Sequence, residues 1–366
     1  MNKKILFLTL RIFSATGGIE KVCKVVSMAL NGLSKNLQVF SMYDKTGDAD
    51  EKYIEAAIFR GYNQQKIKFV WDAVMKGTKM DVIIVSHINI LSIGYIIKLL
   101  SPKTKLVLYA HGIEVWGPLS IIRKKMLQKC DTIIAVSNFT KEKMIVQYKL
   151  ANEKLAVINN CIDPYLPVID HKEKDESLKN RYHFSNNDII LLTLTRLSSK
   201  ELYKGYDNVL ISLTHLKDRF PNVKYLIVGK YDIAEKNRLD KIISDYSLQQ
   251  YVVFSGYVHD EELAKHYCLA DIYVMPSKKE GFGIVFVEAM HYGLPVIAGN
   301  KDGSKDALLN GRLGILVDPD NQEEIDAAVE KIIVNRQQYI PDRNLLAEAF
   351  SFSSYKEKLS SVFNQL

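Results

Sequence analysis

Residues 272–290 read IYVMPSKKEGFGIVFVEAM. The apolar run Ile272–Met275 predicts a strand covered on both faces, because buried parallel strands lack the alternation of half-exposed ones. After it, Gly281 and Gly283 flank Phe282, and a helix is expected to begin near Gly283. The stretch therefore predicts a strand, a glycine-rich turn and a helix N-terminus, the building unit of parallel α/β sheets.

Apolar runs of similar length recur along the chain in both directions from this stretch. They predict a helix at 19–33 and further strands at 4–9, 82–85, 106–109, 132–136, 189–195, 225–228, 252–254, 295–298 and 315–317. The pattern weakens after Ile158, where residues 163–167 hold two prolines and residues 170–181 are dense in charge, as in a linker. We therefore expect two open, doubly wound α/β units in series that bind ligands at the carboxyl ends of their strands, around one cleft.

Length and composition exclude several classes of protein. The chain has 366 residues, 47% hydrophobic and 25% charged, which fits folded domains and excludes a disordered or fibrous protein. Its four cysteines lie far apart without C-x-x-C spacing, so neither a disulfide framework nor a zinc site is indicated. The apolar run 5–10 is too short for a signal peptide, and no run approaches the roughly 20 residues of a membrane span. We expect a cytoplasmic protein.

Positive charge is concentrated in the first half. Residues 1–168 hold 24 Lys and Arg against 13 Asp and Glu, a net +11, and the remaining residues carry −4. This asymmetry suggests an anionic partner, either nucleic acid or a membrane surface. Residues 118–129 predict a helix that is apolar on one side and cationic on the other, as in interfacial helices, although an ordinary helix packed on the sheet has the same pattern.

Two loops of the first half have candidate ligand-binding residues. Gly17 and Gly18 open the predicted helix 19–33, where backbone amides can approach an anion, although a glycine turn after a strand is also a common structural feature. The motif is not G-x-G-x-x-G, which argues against a nicotinamide dehydrogenase. His111 follows strand 106–109 and is placed to bond a sugar or phosphate oxygen, or to act structurally.

In the second half, cations and carboxylates follow the predicted strands. Arg196 and Lys204 come after strand 189–195 and can together neutralise a diphosphate. Glu280 lies in the turn quoted above, and Glu288 lies on the helix that follows it. Carboxylates at the rim of a positive helix end suit a polyhydroxylated ligand that also bears phosphate.

These motifs together strongly resemble the family 4 glycosyltransferases, which are retaining enzymes of the GT-B architecture that use nucleotide-activated sugars. The resemblance rests on Gly17-Gly18, His111, Arg196, Lys204, the E-x7-E pair Glu280 and Glu288, and the runs 256–258, 270–271, 293–297 and 316–319. It implies two Rossmann-like domains with an intervening cleft. Residues 1–168 would face the acceptor and 169–349 would bind the donor, with a C-terminal helix at about 350–366 packing back on the first domain.

The resemblance also assigns roles to individual residues. For catalysis, Arg196 and Lys204 would bind the donor diphosphate, Glu280 the transferred sugar, and His111 the sugar near its reacting carbon. Further donor-binding residues would be Gly17 and Gly18 at the phosphate, Gly281, Phe282, Gly283 and Ile284 at the sugar, Glu288 at the ribose, and Gly229, Lys230, Tyr257 and Val258 at the nucleobase. Residues 197–203 exceed the family's compact versions in length, so Lys200 competes with Lys204 for the phosphate, and the following Gly205 favours Lys204.

The implied activity is transfer of a hexose-like sugar from a UDP- or GDP-sugar to a hydroxyl of a glycan or lipid-linked acceptor, in cell-surface polysaccharide or glycolipid synthesis. Two D-x-D triplets, 48–50 and 318–320, are interpreted as a polar loop and a turn, so we expect no metal and no cofactor. With a lipid-linked acceptor, peripheral attachment to the inner face of the membrane through residues 118–129 remains an open option.

Two other functions are compatible with parts of this pattern. A sugar-nucleotide isomerase of the same two-domain architecture is the main alternative, and it would act on the donor without an acceptor. A non-catalytic sugar-binding protein is the second, although such a protein is expected to be secreted. Nucleic-acid binding has only the basic half in its favour, with no recognised module, and we do not expect it.

Overall fold

The chain was analysed as a computed structural model that describes residues 3–168 and 174–366. It divides into two compact units. The first contains Met1–Asp163 together with Phe350–Leu366, and the second contains Pro164–Ala349.

The first unit is built on a parallel sheet, which has seven strands in the part of the chain that is described. The strands are β1 Lys4–Thr9, β2 Asn36–Ser41, β3 Phe59–Gly61, β4 Val82–Val85, β5 Lys105–Ala110, β6 Thr132–Ala135 and β7 Leu155–Val157. Their order across the sheet is β3-β2-β1-β4-β5-β6-β7. The chain thus winds outward in both directions from β1 and β4, as in a doubly wound fold.

Helices cover this sheet because its strands are apolar on both sides. They are α1 Gly18–Asn31, α2 Lys66–Gly77, α3 Leu91–Leu100, α4 Ile113–Trp116, α5 Ile121–Gln128 and α6 Asn138–Tyr148, with α15 Phe352–Asn364 from the end of the sequence. Helix α1 buries Val22, Val26 and Leu30, the spacing expected of one helical face. Helix α15 packs beside α1, and the Tyr355 hydroxyl lies 2.9 Å from the buried Tyr109 hydroxyl.

The second unit has a parallel sheet of six strands within the described residues. These are β8 Ile189–Leu194, β9 Val223–Val228, β10 Val252–Gly256, β11 Ile272–Met275, β12 Val296–Gly299 and β13 Ile315–Val317. Its helices are α7 Glu176–Tyr182, α8 Tyr206–Leu216, α9 Ile233–Asp245, α10 Asp260–Leu269, α11 Ile284–His291, α12 Ser304–Ala307, α13 Gln322–Val334 and α14 Arg343–Phe350. The strand order is β10-β9-β8-β11-β12-β13, so the direction of winding again reverses, here between β8 and β11.

The predicted doubly wound α/β architecture is confirmed, with local differences. Strands β2, β3 and β7 are absent from the sequence prediction, because β3 and β7 have only three residues and β2 mixes polar with apolar side chains. The linker predicted at 170–181 is wrong in its second part, where α7 forms and the Asp175 carboxylate accepts the Leu178 amide at its N-terminus. Residues 169–173 lie outside the described residues.

Strand order also indicates where each unit would bind a ligand. In doubly wound sheets, ligands bind beyond the carboxyl ends of the strands, at the point where the order reverses. In the second unit this point lies between β8 and β11, which pair directly in parallel. In the first unit it lies between β1 and β4.

Candidate active site

The loops that follow β8 and β11 are in contact at the reversal point of the second sheet. The Lys278 amide donates to the Tyr203 carbonyl at 2.8 Å. Gly205, at φ +77°, approaches the other loop so closely that a Cβ there would lie 2.3 Å from the Pro276 carbonyl oxygen. Only glycine fits such a position without displacing the backbone. Lys204 is therefore held against the β11 loop.

Lys204 forms an ion pair with Glu280 across these two loops. The two side chains are only 16% and 14% exposed. Burial alone would lower the pKa of Lys204, but the adjacent Glu280 carboxylate outweighs it and the pKa is raised. The ammonium is therefore charged at neutral pH, so two of the predicted catalytic side chains lie in direct contact.

Arg196 lies on the same loop as Lys204 but in a more open environment. Its side chain is 69% exposed and pairs with Glu201. The guanidinium Nε lies 3.2 Å from Glu201 Oε2. Lys200, the alternative phosphate ligand, is exposed on the same loop, whereas Lys204 is the lysine that contacts Glu280.

The turn after β11 leads into α11 as the sequence predicts. Gly283 precedes the helix with φ +84°, a left-handed conformation that favours glycine, and Ile284 is the first helical residue. Phe282 is 2% exposed, so its ring anchors the turn in the core. Gly281 and Gly283 are also buried. These backbone amides lie beside Glu280 at the positive end of α11.

Glu288 lies in the second turn of α11 and is 2% exposed. Its Oε2 accepts a hydrogen bond from the Tyr267 hydroxyl at 2.9 Å. Burial, together with the nearby Glu288 charge, raises the pKa of Tyr267 far above its ordinary value, so the hydroxyl stays a donor. Tyr267 also stacks on Tyr292, with ring centroids 5.3 Å apart. The carboxylate is thus fixed by an aromatic cluster.

The four positions predicted for the nucleobase follow β9 and β10 at the same edge of the sheet. Gly229 has φ +149°, and a Cβ on it would lie 1.8 Å from the Thr195 carbonyl oxygen. Lys230 is exposed, Tyr257 is 50% exposed, and Val258 is buried. An exposed aromatic ring and an exposed lysine are thus available to a ligand at this edge.

In the first unit, Gly17 and Gly18 begin α1 after the loop that follows β1. A Cβ on Gly17 would lie 2.2 Å from the Glu20 carboxylate, which folds back over the helix N-terminus. A Cβ on Gly18 would meet no atom within 4 Å. Packing therefore does not require glycine at position 18, where a side chain would extend into open space.

His111 follows β5 next to the reversal point of the first sheet. Its Nε2 lies 2.9 Å from the carbonyl oxygen of Ser86, the residue after β4. Because a carbonyl oxygen only accepts, Nε2 carries the proton. Burial lowers the pKa of His111 to about 4, with the Ser86 contact opposing the shift. The imidazole is therefore neutral at pH 7, and its Nδ1 is an acceptor.

Two models of glycosyltransferase families match the chain, and together they cover most of it. "Glycosyltransferase Family 4" matches residues 16–165, and "Glycosyl transferases group 1" matches residues 174–349. The chain belongs to family 4 of the glycosyltransferases. The two matches fall on the first and second units respectively.

Relatives of this family 4 glycosyltransferase include named enzymes at modest identity. It is 28% identical over 244 residues to the GDP-mannose-dependent alpha-(1-6)-phosphatidylinositol monomannoside mannosyltransferase of Mycolicibacterium smegmatis, covering 63% of this chain and 61% of the relative. It is 29% identical over 220 residues to the mannosylfructose-phosphate synthase of Agrobacterium fabrum, covering 58% of this chain and 47% of the relative. The matches therefore span about half to three fifths of these relatives' lengths.

Solved structures show the fold of this glycosyltransferase. The Anabaena protein HepE, determined with UDP and glucose, matches with a TM-score of 0.81 at 20% identity and 100% coverage of both chains. A sucrose-phosphate synthase from Thermosynechococcus elongatus matches with a TM-score of 0.73 at 19% identity and 99% coverage of both chains. The predicted GT-B fold with two Rossmann-like units is thus confirmed.

In both D-x-D triplets of this glycosyltransferase, an aspartate carboxylate accepts a nearby backbone amide. Asp48 accepts the Lys45 amide at 2.8 Å, and Asp318 accepts the Asp320 amide at 2.9 Å. Asp318 and Asp320 both pair with Lys301. Within residues 3–168 and 174–366, no three His, Cys, Asp or Glu side chains group as a metal site would need.

Sequence reasoning missed one group of residues at the site. Asp302, which follows β12, is fully buried and accepts the Glu280 amide at 2.7 Å. Ser277 Oγ donates to the same carboxylate oxygen at 2.8 Å. The available signal was an Asp-Gly pair at the carboxyl end of the strand that pairs with β11.

Proposed function

We propose that this protein is a retaining hexosyltransferase that uses a nucleotide-diphosphate sugar. The donor would be a UDP- or GDP-sugar and the acceptor a hydroxyl of a glycan or lipid-linked sugar, in cell-surface polysaccharide or glycolipid synthesis. The observation that carries the proposal is the contact between Lys204 and Glu280 at the reversal point of the second sheet. A cation for phosphate and a carboxylate for sugar hydroxyls lie side by side there, next to the N-terminus of α11.

Arg196 and Lys204 would stabilise the leaving diphosphate. Lys204 is prealigned by its ion pair, and Arg196, whose side chain is 69% exposed, can exchange Glu201 for phosphate oxygens. Negative charge accumulates on the leaving group as the glycosidic bond breaks, so these cations bind the transition state more tightly than the ground state. Losing one such contact typically costs about 3 kcal/mol of activation free energy.

Glu280 and the amides of residues 281–284 would hold the transferred sugar. A carboxylate accepts from sugar hydroxyls, and backbone amides at a helix N-terminus donate to sugar or phosphate oxygens. Glu288 would accept from the ribose hydroxyls, with Tyr267 orienting its carboxylate. Tyr257 and Lys230 would border the nucleobase. In the first unit, His111 and Gly18 would contribute an acceptor nitrogen and a backbone amide at the start of α1.

The proposed chemistry needs no covalent intermediate on the protein. The bond between the anomeric carbon and the diphosphate oxygen breaks, and the diphosphate leaves with the electron pair. The acceptor hydroxyl attacks the oxocarbenium-like centre from the same face, and its proton passes to the departing phosphate oxygen. Configuration at the anomeric carbon is retained. No metal is assigned, because lysine, arginine and helix amides supply the positive charge.

A panel of nucleotide sugars tests the proposal. UDP-glucose, UDP-galactose, UDP-N-acetylglucosamine and GDP-mannose would each be scored for thermal shift and for nucleotide release with glycan and lipid-linked acceptors. We expect one donor to stabilise the protein and to be turned over. Glu280→Gln should abolish turnover, and Glu330→Gln, on α13, serves as the matched control. A protein that neither binds nor releases any nucleotide would contradict the proposal.

Incubation of the donor without an acceptor separates transfer from isomerisation. A sugar-nucleotide isomerase would interconvert the free donor without an acceptor, whereas the proposed enzyme needs an acceptor for sugar transfer. NMR of the donor after incubation without acceptor distinguishes the two. Retention is read from the anomeric configuration of the purified product.

For the acceptor, we propose a membrane-facing location at α5 of the first unit, with the protein cytoplasmic and peripheral on the inner face. Ile121 and Ile122 are 75% and 66% exposed, and Arg123, Lys124 and Lys125 follow them directly. Neighbouring helix α3 exposes Leu99 and Leu100 as well. Exposed apolar side chains among cations match the interface of an anionic bilayer.

Every helix in the described part of the chain is too short or too polar to cross a bilayer.

Vesicle co-sedimentation tests this location. We expect binding to vesicles that contain phosphatidylglycerol, weaker binding to phosphatidylcholine alone, and loss of binding in the double variant Ile121→Gln, Ile122→Gln. Val334→Gln replaces a valine that is 58% exposed on the second unit and should bind like the wild type. Binding that does not depend on anionic lipid would contradict the assignment.

A further inference from the structure

Asp302 is a fully buried carboxylate that contacts the turn containing Glu280 in the second unit. Its carboxylate lies between β12 and α12 with no exposed surface. Oδ2 accepts from the Glu280 amide at 2.7 Å and from Ser277 Oγ at 2.8 Å, and Oδ1 accepts from the Ser304 amide at 2.9 Å. A buried carboxylate is costly to desolvate unless several donors compensate, so a role beyond filling space is indicated.

The residue after Asp302 holds the same turn from its other side. The Gly303 amide donates to the Glu280 carbonyl oxygen at 2.8 Å. A Cβ on Gly303 would lie 2.1 Å from the Gly281 carbonyl oxygen. Asp302 and Gly303 therefore engage both backbone polar groups of Glu280, the amide and the carbonyl.

The side chain of Glu280 extends from this fixed backbone toward Lys204. The Glu280 carboxylate accepts from the Lys204 ammonium, while its own amide is held by Asp302. Ser277 is fully buried, and a Cβ on Gly299 would lie 1.9 Å from its carbonyl oxygen, so the start of the turn is fixed as well. The turn thus has one tightly defined backbone path.

We propose that Asp302 is a positioning residue for Glu280, setting the location at which that carboxylate meets the donor sugar. This inference rests on the proposed function. Asp302 itself touches no substrate; it acts through the Glu280 backbone. Displacement of a catalytic group by about 1 Å can cost on the order of a hundredfold in rate. Loosening the turn should therefore lower turnover by much more than it weakens nucleotide binding, because the residues proposed for the ribose and nucleobase lie outside this turn.

Asp302→Asn is the main test. An amide presents one acceptor oxygen and one NH2 group, so it would face either the Glu280 amide or the Ser304 amide with a donor and lose at least one hydrogen bond. We expect kcat to fall roughly ten- to a hundredfold, and the Kd for the free nucleoside diphosphate, measured by calorimetry, to stay within about twofold. Asp326→Asn is the matched control, since Asp326 on α13 accepts from Gln322 at 2.8 Å.

Ser277→Ala provides a second test if Asp302→Asn does not fold. It removes one of the two donors to Oδ2 and leaves the carboxylate in place. We expect a several-fold lower kcat with the same nucleotide Kd. The proposal is overturned if both variants, or the only one that folds, keep wild-type kcat while Glu280→Gln is inactive. It is also overturned if kcat and nucleotide affinity fall together. Failure of the wild type to bind any nucleotide would instead refute the proposed function.

Discussion

Lys204 and Glu280 are 76 residues apart in sequence and form an ion pair in the second unit. One follows β8 and the other follows β11, and these two strands are neighbours at the reversal point of the sheet. A diphosphate that binds Lys204 would compete with Glu280 for the ammonium, which leaves the carboxylate available to sugar hydroxyls. In the proposed function, the pair would therefore couple the two parts of the donor to each other.

Removing either Arg196 or Lys204, the cations proposed to bind the diphosphate, should lower turnover on the order of a hundredfold. Arg196→Ala should leave the free energy of unfolding within about 0.5 kcal/mol of wild type, because its side chain is 69% exposed. Lys204→Ala should also destabilise the fold, by up to about 3 kcal/mol, because the Glu280 carboxylate is then partly buried without its cation. Steady-state kinetics and urea denaturation measure both effects.

Lys200→Ala separates the two lysines of this loop. We expect near wild-type turnover and stability, because Lys200 is exposed and Lys204 is the lysine in contact with Glu280. If Lys200→Ala were the inactive variant and Lys204→Ala the active one, the phosphate role would move to Lys200.

Gly18→Ala should impair donor binding without harming the fold. A Cβ at this position meets no atom within 4 Å, and alanine in a helix is more stable than glycine by roughly 0.5–1 kcal/mol. We expect a raised KM for the nucleotide sugar with equal or higher Tm. Gly205→Ala is the contrasting variant, because its φ of +77° and its contact with Pro276 predict a lower Tm. Since alanine keeps the backbone amide and adds only a Cβ, an unchanged KM in Gly18→Ala would show that the donor does not approach position 18 closely.

Asp302 should contribute a loss of stability as pH rises from about 4 to about 6, which opposes the gain that the lowered pKa of His111 contributes over the same range. Burial raises its pKa from 3.8 to about 6, with Glu280 adding to the shift and Ser304 opposing it. The folded protein therefore binds a proton in this range that the unfolded chain has released, which makes folding less favourable at higher pH. The contribution is about 3 kcal/mol in total. In denaturation experiments between pH 4 and 7.5, the stability of the wild type relative to Asp302→Asn should fall by this amount, because the variant lacks only the titration of Asp302.

Activity should survive chelation. The proposed site neutralises the diphosphate with Arg196, Lys204 and backbone amides, and the aspartates of the D-x-D triplet at 318–320 are already paired with Lys301. Turnover measured in excess EDTA should equal that in buffer alone. Loss of turnover that Mg2+ or Mn2+ restores would show that a metal is required.

Much of the fold could be predicted because buried parallel strands have continuous apolar runs. β1, β4, β11 and β13 occur at the predicted residues. Short edge strands such as β3 and β7 lack enough residues to show a pattern, and their pairing with β2 and β6 stabilises them instead. The helix cap at Ser137, which accepts the Thr140 amide at 3.1 Å, was also predictable, because capping depends on local sequence.

The candidate site was only partly predictable for a related reason. Residue types such as Arg196 and Glu280 indicate their chemistry, but their partners depend on which strands become neighbours. Nothing near Glu280 in sequence indicates Asp302, which approaches only because β12 pairs with β11. Likewise, the Asp44 carboxylate holds the loop before Gly17 by accepting the Ile12 amide at 2.7 Å, a contact made possible by the pairing of β1 with β2.

The first unit is made of two separate parts of the sequence, because helix α15 belongs to it but follows the second unit. Tyr355, Leu359 and Phe363 are buried in that unit, yet a ribosome makes them after every residue of the second unit. While the second unit emerges, Tyr109 still lacks the Tyr355 hydroxyl that it contacts in the finished protein. The first unit therefore cannot complete its fold until every residue of the second unit has been synthesised.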